Sequence, residues 1–179
     1  MSYQQDASRS EKTFMEICAA PLRKFFKASE IISTAPHKEK LDRALDFGGV
    51  DYIVDSSIFG LVPIQAKVSF GGKPYRNFVV RRSRCSGVPT DYDKLSRARR
   101  YGTISPKCHV AVFVDDDGNA DAALVETSDL LRFIDDGQAD VRGTSDGTFY
   151  ACSWQRLEDY GVKVFRLDRR ADFQRGKIA

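Results

Sequence analysis

Asp51, Gln65 and Lys67 are the side chains of this 179-residue chain whose types and spacing could do chemistry together. They lie in GGVDYIVDSSIFGLVPIQAKVSF, residues 48–70, which reads as two strands joined by a tight connection, one near residues 50–54 and one near 61–70. In the second, Ile64, Ala66, Val68 and Phe70 alternate with Gln65, Lys67 and Ser69, giving an apolar and a polar face. A half-buried strand explains the apolar face but not a Gln and a Lys side by side on the other. Gly48 and Gly49 allow a sharp turn before Asp51, and a hairpin spanning the fourteen positions from Asp51 to Gln65 brings the three together. A carboxylate and an amide carbonyl are hard oxygen ligands suited to Mg²⁺, which takes few protein ligands and keeps several waters. A neighbouring ammonium can orient an attacking water or stabilise charge developing on a phosphate.

The elements that position these residues carry a resemblance. Asp46-Phe47-Gly48-Gly49-Val50-Asp51 followed by Gln65-Ala66-Lys67 on the next strand resembles the Asp-Gly-Gly-Ile-Asp and Gln-x-Lys signature of Mrr-like restriction endonucleases, within the PD-(D/E)xK nuclease superfamily. The resemblance covers about residues 10–115. It implies Mg²⁺ (or Mn²⁺) as cofactor, Asp51 and Gln65 as ligands with the backbone carbonyl of Ala66 as a third, and Lys67 acting on the attacking water. An early helix of that family carries a Phe-Glu-type segment whose acid supports the metal site. FMEICAAPL is similar, with Met15 interposed, which points to Glu16; from the residues alone, Glu16 is equally a solvated helix-surface acid. Asp46 is either a second site acid or, as Asp commonly is, part of the turn.

Composition sets outer bounds. With 42% hydrophobic and 30% charged residues the chain has the make-up of a globular protein able to bury a core without disulfides. No apolar run reaches the length of a membrane span, and the polar start has no secretory core. Cys18, Cys85, Cys108 and Cys152 are scattered without a CxxC pair, so the expectation is reduced thiols in a cytoplasmic protein rather than a zinc site. A net charge of +3 excludes little, but its distribution is informative: residues 73–100 hold nine Lys and Arg against two Asp. Arg76, Arg81, Arg82, Arg84, Lys94, Arg97 and Arg100 follow directly on the candidate site strand. We read them as a surface that neutralises phosphates in preference to a merely solvated face.

The rest of the chain supplies the frame. Ser10 is placed to cap a helix through Phe14, Cys18 and Leu22, with a kink expected at Pro21, after a flexible tail over residues 1–9. A strand is expected at 30–33 and another at 78–80 that extends the meander. Thr90 and Asp93 have capping-box form for a helix over 91–101 that Gly102 terminates. HVAVFVD, residues 109–115, reads as a buried strand reached by a crossover, and 122–126 as its hairpin return. Ser128 would cap a short helix over 129–134. Residues 148–154, 155–160 and 162–167 form a small C-terminal α/β portion, and 169–179 a charged tail.

The fold expectation is therefore α/β: one domain over 10–168, with a mixed central sheet of about five strands flanked by helices, in a restriction-endonuclease-like core. The expected function is metal-dependent hydrolysis of phosphodiester bonds, with DNA the expected substrate. The resemblance implies a homodimer, because cutting two strands needs two sites. The alternative is a non-catalytic nucleic-acid- or protein-binding module on the same fold, of the kind a phage or mobile-element effector uses.

Overall fold

The computed structural model describes residues 3–34, 45, 48–71 and 75–167. Its first element, α1 (Tyr3–Phe26), is set by apolar residues four apart, Phe14, Cys18, Leu22 and Phe26, all buried. The helix begins at Tyr3 rather than Ser10, and it continues through Pro21. Pro inside a helix costs about 3 kcal/mol or more. Leu22 and Phe26, buried beyond it on the same sheet, each return roughly 1.5–3 kcal/mol, so packing overrides the break. Lys27, with a φ of 46°, turns the chain into the sheet.

β1 (Ala28–Ser33), β2 (Tyr52–Ser56) and β3 (Gly60–Phe70) form an antiparallel meander. β5 (Cys108–Val114) then pairs parallel to β3, reached through α2 (Asp91–Tyr101). β6 (Ala120–Glu126) and β9 (Phe165–Arg166) add antiparallel, giving a six-stranded mixed sheet of order β1-β2-β3-β5-β6-β9. The expected mixed sheet is present, with six strands where about five were expected.

β4 (Asn77–Arg81) does not extend this meander. It pairs with β8 (Gly147–Ser153), which also pairs with β7 (Asp140–Thr144), in a separate three-stranded sheet of order β4-β8-β7. The reason is on the main sheet itself: β3 already has β2 on one edge and β5 on the other, leaving no free edge for a fourth meander strand. The β7–β8 turn lies against residue 83 so closely that a Cβ at Gly147 would come 2.2 Å from the Ser83 carbonyl oxygen. β7 is exposed along its length and has no apolar alternation to announce it.

The main sheet thus separates two cores. On one face α1 packs on Val54, Val62, Ile64, Val110 and Leu124, with Phe14 stacked on Tyr52 at 4.1 Å between ring centroids. On the other, the small sheet, α2, α3 (Thr127–Asp135) and α4 (Trp154–Asp159) close over Ala111, Ala123 and Val125. Two alanines in that row leave room for Phe78, Phe133 and Trp154. α3 starts one residue before Ser128, with Glu126 at the cap position and no side-chain cap bond. No described helix is long and apolar enough to cross a membrane. Asp46 and residues 169–179 lie outside the described residues.

Candidate functional site

The site forms where β2 begins and β3 continues past it. The two glycines before Asp51 have different tasks. A Cβ on Gly48 would stand 2.7 Å from the Ile104 carbonyl oxygen, so only glycine allows this approach. Gly49 has a φ of 76°, in the left-handed region that favours glycine. Asp51 is then fixed at both backbone ends: its N–H donates to the Ile64 carbonyl and its carbonyl accepts from Thr34 N–H, each at 2.9 Å. Its carboxylate Oδ2 accepts the Ala66 N–H at 2.8 Å. A strand residue presents its N–H and carbonyl to the same edge, so the Ala66 carbonyl also points to the side where Asp51 stands.

Gln65 and Lys67 project from the sheet face opposite α1, as their alternation with Ile64 requires. The Gln65 amide lies over Gly49, where a Cβ would meet it at 3.8 Å and the Lys94 Cδ at 3.8 Å. β4 runs over this face, and Lys67 and Ser69 line a narrow cleft with Asn77 and Val79. Lys67 keeps a solvent-exposed surface, but the protein packed around it lowers its ammonium below the usual lysine range. Arg81 and Arg84 push it further the same way, while Asp91 and, more weakly, Asp51 oppose them.

The structure therefore brings Asp51, Gln65, Ala66 and Lys67 together where β2 begins beside β3. It does not bring Glu16 there. Glu16 sits on the outward side of α1, 3.9 Å from Lys12 and about half a turn from the buried stripe of Phe14 and Cys18. The α1 acid whose charge reaches Tyr52 is Glu11, three residues before Phe14 and on its face. Its charge is the strongest among those that raise the Tyr52 hydroxyl, after burial, with Asp51 next. The signal for Glu11 was present in the helical spacing.

The basic residues divide. Arg81 and Arg84 act on Lys67, and Lys94 stands beside Gln65. Arg97 shares a cavity with Lys94. Arg76 is engaged elsewhere, 2.9 Å from Asp121, and the Arg82 guanidinium lies over the Tyr150 ring at 5.6 Å. Arg81 is also held, at 3.4 Å from Asp146. Arg100 is exposed in the last turn of α2.

Two further residues enter through the tertiary structure. Asp91, the first residue of α2, accepts the Arg81 backbone N–H at 3.1 Å, which pins the helix start to β4. His109 is the register partner of Gln65 on the parallel strand and is 5% exposed. Its Nε2 has no hydrogen-bond partner among the described residues, and burial drives the imidazole from an ordinary 6.5 to about 4, with Asp91 opposing. It is neutral at neutral pH.

Asp51 offers a carboxylate, Gln65 an amide carbonyl and Ala66 a backbone carbonyl, all of them oxygen, which suits a hard divalent cation that retains water; among the described residues no group of three or more His, Cys, Asp or Glu is placed to hold a metal. No family model matches this chain, and no curated protein matches it.

Proposed function

We propose that the protein hydrolyses phosphodiester bonds in nucleic acid, with DNA as the expected substrate and Mg²⁺ or Mn²⁺ as cofactor. The observation that carries this reading is the Asp51 carboxylate tied to the Ala66 N–H, on the strand from which Gln65 and an acid-shifted Lys67 project. The chain order supports it as well: a helix, three antiparallel strands, a helix and a strand parallel to the third is the arrangement expected of a restriction-endonuclease-like core.

Asp51, Gln65 and the Ala66 carbonyl would hold the cation, which when bound supplies Lewis-acid stabilisation of charge on the phosphate. Asp51 contributes the negative charge and is kept in place by three backbone bonds. Lys67 orients the attacking water, and its lowered pKa brings the neutral amine closer to neutral pH, where it can accept a proton. Glu11, whose charge reaches the Tyr52 hydroxyl next to Asp51 in the chain, takes the place of the helix acid in this reading. Arg84, Lys94 and Arg97 form the phosphate-binding surface nearest to these groups.

A non-catalytic binding module is the second reading. It is favoured by the uncharged amide at residue 65, beside which Lys94 brings a positive charge that disfavours a cation. Nicking of supercoiled plasmid separates the two. The nuclease reading expects nicking that requires Mg²⁺ or Mn²⁺ and is lost in Lys67→Ala and Asp51→Ala. Binding without metal-dependent nicking, or nicking that survives both substitutions, would overturn it.

A further inference from the structure

Next to the Gln65 amide lies a cavity of about 410 Å³, within the range of roughly 300–1,000 Å³ typical of small-molecule sites. Gly48 and Gly102 contribute backbone without side chains, Pro89 and Ile104 give apolar walls, and Lys94 and Arg97 supply positive charge from one face of α2. Among the described residues, no acidic side chain lines it. Its position is fixed by the same features as the site: Gly48 touches Ile104, and Lys94 spans from the cavity to Gly49 and Gln65. Ile104 is 53% exposed, so an apolar wall here stays open to solvent.

Cations beside apolar walls match a nucleotide, with its phosphate on the cations and its base on the walls. An uninterrupted duplex offers phosphates but keeps its bases stacked, and a base enters such a cavity only at an unstacking cost. We propose that this cavity receives one unstacked nucleotide of the strand held at Asp51, Gln65 and Lys67, its phosphate on Lys94 and Arg97 and its base against Pro89 and Ile104. The substrate is then nucleic acid with a single-stranded end or branch rather than continuous duplex. This rests on the nuclease reading for the placement of the strand.

The test is binding in metal-free buffer, which does not depend on cleavage. A blunt DNA duplex and a duplex with a single-stranded overhang of the same total charge are compared by fluorescence anisotropy. The wild-type protein should bind the overhang about tenfold more tightly. Thr103→Trp, which fills the cavity from its lining, and Arg97→Gln, which removes a charge, should each bring the ratio towards one, with thermal melts showing the fold retained. Equal affinities in the wild type overturn the proposal. A preference that persists undiminished in both variants overturns the assignment to this cavity. An overhang preference lost in both variants, in a protein that never nicks, would sink the nuclease reading and leave the cavity assignment standing.

Discussion

Residue 65 is the least ordinary position in the candidate site, because an amide offers Mg²⁺ an oxygen but no charge. Gln65→Glu keeps length and oxygen and adds a charge that Lys94, beside it, can accommodate. The expected result is cleavage retained, with the metal requirement moved to lower concentration, whereas Gln65→Leu is inactive at any metal concentration. A metal titration of plasmid nicking for the three proteins checks this, and an active Leu variant refutes the ligand role. Lys67 gives a second test. Asp91 raises its pKa and Arg84 lowers it, so Asp91→Asn should move the limb of the pH–rate profile governed by Lys67 towards acid, and Arg84→Gln towards alkali. A limb that stays fixed in both variants would show that Lys67 does not govern it.

The elements matter by how firmly they hold these groups. α2 presents Lys94 and Arg97, and its start is fixed by a capping box in which Thr90 accepts the Asp93 N–H while the Asp93 carboxylate accepts the Thr90 N–H at 2.9 Å. Those bonds hold the Asp93 carboxyl below its ordinary range. Thr90→Ala should lower stability by about 1 kcal/mol, read as a shift in the urea midpoint at an unchanged slope. On the opposite face, Phe14 is fully buried and stacked on Tyr52, the neighbour of Asp51. Phe14→Ala should cost roughly 3–5 kcal/mol and loosen the entry to β2. Equal midpoints for wild type and Phe14→Ala would show that α1 does not clamp the sheet as described.

For the whole molecule, the buried His109 makes stability depend on pH. The unfolded imidazole takes up a proton near 6.5 and the folded one only near 4, so acidification favours the unfolded chain between these values. The His109 contribution is fully present above about pH 6.5, falls by about 3 kcal/mol between there and pH 4, and levels off below. His109→Leu should flatten the urea midpoint between pH 7.5 and 5. A wild-type midpoint that does not fall over that interval would show that the imidazole is not held neutral. His109 shares the face of β5 with Ala111, so its protonation acts on the core formed by the small sheet and α2 to α4.

The sequence by itself determined whatever is local. The alternation that sets Gln65 and Lys67 against Ile64, the paired glycines before Asp51, the capping box at Thr90 and the αL stop at Gly102 all depend on neighbours within a few residues, and the structure has them. The bounds of α1 were less legible, because burial on the sheet outweighs the intrinsic effect of Pro21. The 3.6-residue period puts Glu11 on the Phe14 face of α1, whereas Glu16, to which the short motif points, faces away from the sheet. Only the tertiary structure decided that β4 leaves the meander for β8, because an apolar run shows that a strand forms but not which edge it joins. The same long-range pairing places Arg81, Arg84 and Asp91 around Lys67, and the parallel β3–β5 register sets His109 beside Gln65. Those approaches join residues far apart in the chain, and charge and burial act through space, so no spacing in the sequence encodes them.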